Sequence, residues 1–473
     1  MRVIGLSIKN KFTSMPRRKK GAAETPAAKT ERKSDKTPNR LLGMKDFIGA
    51  DQTCFDFAYE KASRLAKMYS FAPVKTPILE SFDLYKKSSR QNNDKEFYFV
   101  DSEKGEKMTL RPEITQGAIR AYLENSVVGG SKLARLFSFG PIFRREKLQS
   151  GRYRESTQFN LELIGERKPM AEALLITVAN NFFEEMQVKV QVQVNSLGDA
   201  DCRKEYCSKL ANFYKERGRR SKLCNACKNN LGKNCLSLLD CKEESCLKLR
   251  EEAPQLADYL SEESREYLTK TLEFLDELNI SYNFNPYLVR GLNYYNDIVF
   301  EFWPINDDET VGKMALGGGG RYDNLVENMG GPQTPAAGLA IGIERTIARV
   351  RDKSVLTNKA EEDIVFIAQL GDQAKLKALQ LFEELRKAGF NVRQSFASDS
   401  LKFQLEEAVL IKAKTCLILG KKEIMDGTIL MRDMESGAQE TLVYKKVRER
   451  LEKRDKQEKR INLNNRKEGV LYG

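Results

Sequence analysis

The sequence contains no histidine among its 473 residues. No imidazole can serve it as a base or as a metal ligand, so its chemistry rests on carboxylates, guanidinium groups, thiolates, bound metal or groups that a substrate brings. It also lacks an apolar run of the length needed to cross a bilayer, and no membrane partner is expected. Its basicity is thinner than the net charge of +13 suggests. Residues 1–40 hold 12 Lys or Arg against 3 acids and residues 445–473 hold 11 against 5, which leaves the body between them near −2. Basic tails of this kind make weak, salt-sensitive contacts with nucleic acid and say little about the folded body. The first tail has no apolar centre and its bases are clustered lysines, so no targeting segment is read there and a cytoplasmic chain is expected.

What the sequence does have is organised around Phe143 to Glu166, FRREKLQSGRYRESTQFNLELIGE. Apolar sequence from Leu133 leads into a basic loop. Beyond it Phe159, Leu161 and Leu163 alternate with Gln158, Asn160 and Glu162. Period-two alternation on both sides of a loop predicts a long antiparallel hairpin, with one face on a core and one face polar. The guanidinium groups of Arg144, Arg152 and Arg154 suit an anion at one end, and the amide and carboxylate suit a small polar ligand at the other.

Around the hairpin, a helical stripe runs from Cys54 to Tyr69, and a short extended segment from Val74 to Thr76. Lys95 to Asp101 and Lys107 to Arg111 read as a strand pair, after which Pro112 suits the first turn of a helix. Residues 200–284 hold seven of the nine cysteines. Cys224 and Cys227 make one metal-like knuckle that Cys241 and Cys246 complete as an all-thiolate zinc site, with Cys202, Cys207 and Cys235 as spare candidates. Such a site would cross-link a Lys- and Asn-rich segment that has few large apolar residues. Past Val350 the segments Asp363–Ala368, Ala374–Ala388, Leu401–Ala413, Thr415–Leu419 and Thr428–Arg432 alternate strand and helix, a small α/β domain.

Five stretches occur in one order: TLRPEIT at 109–115, the hairpin motif at 143–158, LVRGLNYY at 288–295, GGGRYDNLV at 318–326 and GLAIGIERT at 338–346. Together they resemble the histidyl-tRNA synthetases, class II aminoacyl-tRNA synthetases, from about Gly43 through Leu451. The resemblance implies an α+β fold: a class II antiparallel sheet with flanking helices, a Cys-rich insertion and a C-terminal α/β anticodon-binding domain. It implies a first part of the catalytic domain at 41–199, the insertion at 200–284, a second catalytic part at 285–352, the anticodon-binding domain at 361–446 and a basic tail at 447–473. The implied activity is ATP-dependent ligation of histidine to its tRNA through a histidyl-adenylate, by a homodimer joined through the helix before Pro77, with Mg²⁺ on the nucleotide.

By the same resemblance Arg144, Glu146, Arg152 and Arg345 are the ATP residues. Glu113 and Thr115 face the α-amino group of histidine, and Gln158, Glu162, Tyr294, Tyr295 and Tyr322 belong to its site, most of them around the imidazole. Arg290, with Arg144, is the catalytic cation between carboxylate and α-phosphate. A carboxylate is already ionised, so the attack needs no histidine base. Three departures from the family stand out. Ser156 stands where an aromatic ring stacks on adenine, leaving Tyr153 or Phe159 to supply one. Asn293 replaces an aspartate, and Lys147-Leu148 replaces Arg-Pro. The alternative is a histidine-sensing regulatory paralogue, a subunit of ATP phosphoribosyltransferase, which typically lacks the C-terminal domain.

Overall fold

The computed structural model describes residues 39–86, 96–101, 105–125, 133–145, 152–305, 314–350, 363–395, 398–454 and 456. From the amino-terminal side the elements are α1 (Ala50–Met68), β1 (Ala72–Pro73), β2 (Leu79–Ser81), α2 (Phe82–Lys86), β3 (Phe99–Val100), β4 (Met108–Leu110), α3 (Thr115–Asn125), β5 (Ala134–Phe143), β6 (Glu155–Ile164), α4 (Met170–Glu185) and β7 (Val190–Ser196). The Cys-rich region contributes α5 (Ala200–Lys215), α6 (Arg217–Lys222), α7 (Asn225–Asn230), α8 (Glu244–Glu251) and α9 (Glu262–Glu277). The chain continues through β8 (Tyr282–Phe284), β9 (Asn296–Pro304), β10 (Gly317–Arg321), α10 (Leu325–Asn328), β11 (Ala336–Gly342) and α11 (Ile343–Ile347). The last elements are β12 (Ile364–Gln369), α12 (Asp372–Lys387), β13 (Asn391–Gln394), α13 (Leu401–Leu410), β14 (Thr415–Leu419), α14 (Lys421–Asp426), β15 (Thr428–Asp433) and β16 (Gln439–Val443).

Eight strands form the large sheet in the order β1-β5-β6-β11-β10-β9-β7-β8. The expected hairpin is there: β5 and β6 pair antiparallel from Ala134↔Ile164 to Phe143↔Glu155. The sheet as a whole is mixed, because β1 runs parallel to β5 and β8 parallel to β7. Both parallel pairs lie at the edges, and the second is reached through a long crossover that ends in α9. Alternation in β6 sends Phe159 and Leu161 into the helical layer, where Phe159 is fully buried 5.3 Å from the Phe182 ring of α4. The stripe Cys54, Ala58, Ala62, Leu65 and Ala66 of α1 is buried in the same core. One face of the sheet is therefore occupied, and the other is left for the site.

Two expectations change in this half. Helix α3 starts at Thr115, so Pro112 lies ahead of it. The backbone there is committed to other segments: Arg111 N–H donates to Ile78, Phe143 N–H to Arg111, and the Arg144 Nε to the Pro112 carbonyl. The Cys-rich region is also less dependent on a cross-link than its composition suggests. It buries Tyr206, Leu210, Tyr214, Leu238, Leu249 and Leu256 in one continuous core with the large sheet. Residues 282–284, counted with it on composition, are β8 of that sheet.

The C-terminal region has its own five-stranded sheet, ordered β13-β12-β14-β15-β16, parallel across the first three strands and antiparallel beyond. Its core takes Leu381 and Leu385 from α12, and also Val447 and Leu451. Residues 447–454 are helical and belong to this body, not to a tail. Val447 and Leu451 are four apart on a segment otherwise dense in charge, so two apolar side chains form its whole buried stripe.

Candidate active site and thiolate cluster

The open face of the sheet is built to be nearly free of side chains. Opposite Glu162, Asn160 and Gln158 of β6 stand Gly338, Ala340 and Gly342 of β11. Beyond them on β10, Gly320 pairs with Gly338 and Gly318 with Ala340. A Cβ at Gly338 would collide with the Glu162 carboxylate and come within 2.5 Å of the Tyr322 hydroxyl, and one at Gly318 would lie 2.7 Å from Arg290 Nη1. The glycines thus leave a floor over which side chains from four strands and a loop can converge.

At the β6 end, Glu162 is buried and accepts from Thr115 Oγ1 at 2.7 Å through one oxygen and from the Tyr322 hydroxyl through the other. Glu113 is buried beside it, accepting from the Tyr294 hydroxyl at 3.0 Å. Burial pushes the Glu162 carboxyl up to about 8, against its two hydroxyl donors. Burial likewise pushes Glu113 up to about 7, opposed by the charge of Arg144 and by Tyr294. Glu113 Oε1 and Gln158 Oε1 are buried with no hydrogen-bond partner, as is Arg290 Nε. Unpaired buried polar atoms are what a polar ligand satisfies.

On the opposite side Arg290 pairs with Glu301 of β9 at 2.5 Å. Burial works against its charge, but Glu301 and Tyr295 outweigh it and hold the guanidinium above its ordinary value. Tyr295 differs from Tyr294: its ring lies 5.6 Å from the Arg290 guanidinium, and its carbonyl accepts from Arg203 of α5 at 2.8 Å. Arg144 donates to the Pro112 carbonyl at 2.7 Å, one residue from Glu113. Arg152 and Arg345 both reach the irregular segment leading into β10, Arg152 against Met314 Sδ at 3.3 Å and Arg345 against the Ala315 carbonyl at 3.3 Å. Glu146 and Lys147-Leu148 lie outside the described residues.

Sequence reasoning missed Glu301 and Glu344. The Glu344 carboxylate takes the Thr157 N–H with both oxygens, at 2.7 and 2.9 Å, and so pins β6 at Ser156 and Thr157. Asn160, buried between Gln158 and Glu162, was visible in the alternation but not taken as a site residue. Phe159 cannot stack on a nucleotide base, because its ring is wholly in the core. Tyr153, which is partly exposed, remains.

A second constellation lies in the Cys-rich region. The Sγ atoms of Cys224, Cys227, Cys241 and Cys246 all fall within 4.8 Å of one another. Cys224 and Cys241 are 3.9 Å apart, far outside disulfide length, and four thiolates about 2.3 Å from a zinc ion stand about 3.8 Å from each other. Backbone N–H groups of Cys227 and Cys224 point at the sulfurs of Cys224 and Cys246, at 3.4 and 3.3 Å. The donor set is soft, buried on one side and tetrahedral in size, and it fits zinc. Of the spare candidates, Cys202 contacts the Asp199 carbonyl and Cys235 that of Cys207, and none of the three joins this group.

The profile described as histidyl-tRNA synthetase matches residues 43–346, and that described as anticodon binding domain matches 364–454. The chain belongs to the histidyl-tRNA synthetase family. A histidine–tRNA ligase of Thermosipho melanesiensis is 37% identical over 404 residues, 85% of this chain and 95% of that protein. The apo histidyl-tRNA synthetase of S. aureus superposes with a TM-score of 0.73 at 28% identity, covering 87% of this chain and 99% of that one. An ATP phosphoribosyltransferase regulatory subunit/histidyl-tRNA synthetase from Bacillus halodurans has a TM-score of 0.57 at 17% identity over 80% of this chain, a likeness of fold alone. The family's anticodon-binding domain is the part that the regulatory alternative was expected to lack. Among the described residues no helix is long and apolar enough to cross a membrane.

Proposed function

We infer that this chain is a histidine–tRNA ligase: it activates histidine with ATP and transfers it to tRNA. The observation that carries the reading is the buried pair Glu113 and Glu162, held by Tyr294, Thr115 and Tyr322 over a glycine floor, with Arg144 at one side and Arg290 at the other. Glu113 and Thr115 take the α-ammonium group. Glu162, Gln158 and Tyr322 take the imidazole, which carries one donor and one acceptor and matches a carboxyl, an amide and a phenol. An apolar amino acid leaves those buried groups unpaired and is rejected.

Arg290 lies between the histidine carboxylate and the α-phosphate, and Arg144 grips the α-phosphate, as fixed cations that stabilise the charge developing when the carboxylate attacks and pyrophosphate leaves. Arg152 and Arg345 hold the outer phosphates, and Tyr153 supplies the ring beside adenine. Mg²⁺ arrives on the triphosphate, whose oxygens supply most of its ligands. The four clustered thiolates hold a structural zinc ion. The chain works in the cytoplasm as a homodimer. This is supported by the exposed apolar residues at both edges of the small sheet β2-β4-β3, Ile78 and Leu79 at one and Phe99 and Val100 at the other.

Histidine-dependent exchange between pyrophosphate and ATP tests the reading. The purified protein should catalyse it with histidine and not with leucine, and Arg290→Ala should lower it by about a hundredfold or more. Exchange left intact by that substitution, or absent from the unaltered protein, would show the reading to be wrong.

A further inference from the structure

A cleft of about 1160 Å³ separates α5 from the segment that follows α7. Arg203, Lys204 and Lys215 line one wall and Lys233 the other, against Asp240 as the one acid among the lining residues, and the floor is Arg290 with Asn293 and Tyr295. The cleft is thus a basic channel that ends on the catalytic cation, and its charge suits a phosphodiester chain. The second wall is formed by residues 230–237 and Asp240, which contain little regular structure beyond the end of α7 and one 3-10 turn at Cys235–Leu238. Its ends are the notable feature. Cys227 precedes this segment and Cys241 follows it, and both belong to the four-sulfur cluster. Whatever fixes the sulfurs fixes both ends of the wall at one point.

We propose that a zinc ion on Cys224, Cys227, Cys241 and Cys246 clamps the two ends of segment 228–240, and so shapes one wall of the basic cleft, a wall that the polynucleotide uses and that amino-acid activation does not need. The inference rests on the zinc site and ligase reading given above and assigns the metal its task. The glycine floor and Glu162 lie on β6, β10 and β11, and Glu113 lies between β4 and α3, all outside the Cys-rich region. The wall keeps some hold without the metal, because Leu231, Leu238 and Leu239 are buried. Loss of zinc therefore loosens the segment without unfolding the sheet.

Metal analysis of the purified full-length protein should give about one zinc per chain, and cobalt substitution should give the visible absorption of a tetrahedral thiolate site. Cys241→Ser and Cys246→Ser should abolish both, speed amide exchange in 228–240, leave pyrophosphate exchange within about twofold and raise the KM for tRNA by about tenfold or more. Cys202→Ser, outside both the cluster and the cleft lining, should keep the metal and both activities. Should the serine variants fail to fold, the unaltered protein stripped with a chelator and reloaded with zinc gives the same comparison. A chain that binds neither zinc nor cobalt, charging unchanged after zinc loss, or exchange and charging falling together would each overturn the proposal. If the unaltered protein shows no pyrophosphate exchange at all, the ligase reading fails, while zinc content and amide exchange in 228–240 still judge the clamp.

Discussion

Glu113 and Glu162 are carboxyls whose values in the fold, about 7 and about 8, lie well above the ordinary range near 4.3. Without ligand both keep their protons at slightly acid pH. Their contribution to stability is complete below the ordinary carboxyl value and is lost as pH rises through 7 and then 8. On the proposed reading, an α-ammonium group beside Glu113 would favour its charged form, so histidine binding should expel a proton. Calorimetric titration at pH 6.5 in two buffers of different ionisation heat should therefore give different binding enthalpies, and Glu113→Gln should shrink the difference by somewhat less than one proton. Equal enthalpies in the two buffers for the unaltered protein would contradict this.

The polar face of β6 was legible residue by residue, because alternation needs only the strand itself. Glu301 and Glu344 were not. Arg290 reaches Glu301 from a loop 11 positions earlier and Thr157 reaches Glu344 from a strand 187 positions earlier, and nothing local in sequence marks a glutamate that will find an arginine or a backbone amide. The same holds for the glycine floor, whose meaning depends on β11 and β10 lying beside β6 in register.

At the scale of elements, α9, α12 and α13 were read close to their bounds, but α4 and α5, sixteen residues each, were not read at all. The segment expected from Ser261 to Leu278 is α9, where Ser261 Oγ accepts from the Ser264 N–H as N-cap. Short elements escaped: α14 and β16 carry too little pattern, and helix 447–454 hides two apolar residues among charges. That helix makes a distinct prediction. Stopping the chain after residue 446 removes Val447 and Leu451 from the C-terminal core, at a cost of about 3 kcal/mol or more, whereas stopping after 456 should be nearly neutral. The single tryptophan, Trp303, reports only the large sheet. The shorter chain should gain an early urea transition by circular dichroism while the Trp303 fluorescence transition stays in place. Coincident, unshifted transitions would refute the packing role.

For the whole molecule, the expected class II sheet and the separate C-terminal α/β region both hold, and the sheet's mixed edges were invisible because strand direction is set by connections, not by composition. The exposed apolar edge of the small sheet makes the assembly testable. Ile78→Asp with Leu79→Asp should convert a dimer into a monomer in sedimentation at micromolar concentration, since both side chains are about 40% exposed in the single chain, 42% and 40%. An unaltered protein that sediments as a monomer would remove the idea.

Asp199 caps α5 by accepting from the N–H groups of Asp201 and Cys202, and its second oxygen accepts from Ser261 Oγ, the cap of α9, at 2.5 Å. Two helix caps thus shake hands across the start and the finish of residues 200–260. Everything between them departs from and rejoins the sheet's crossover at a single doorway. A chain spliced directly from Asp199 to Ser261 would still run from β7 through α9 to β8. That doorway is where a module of this chain could be enlarged, trimmed or exchanged without redrawing a strand.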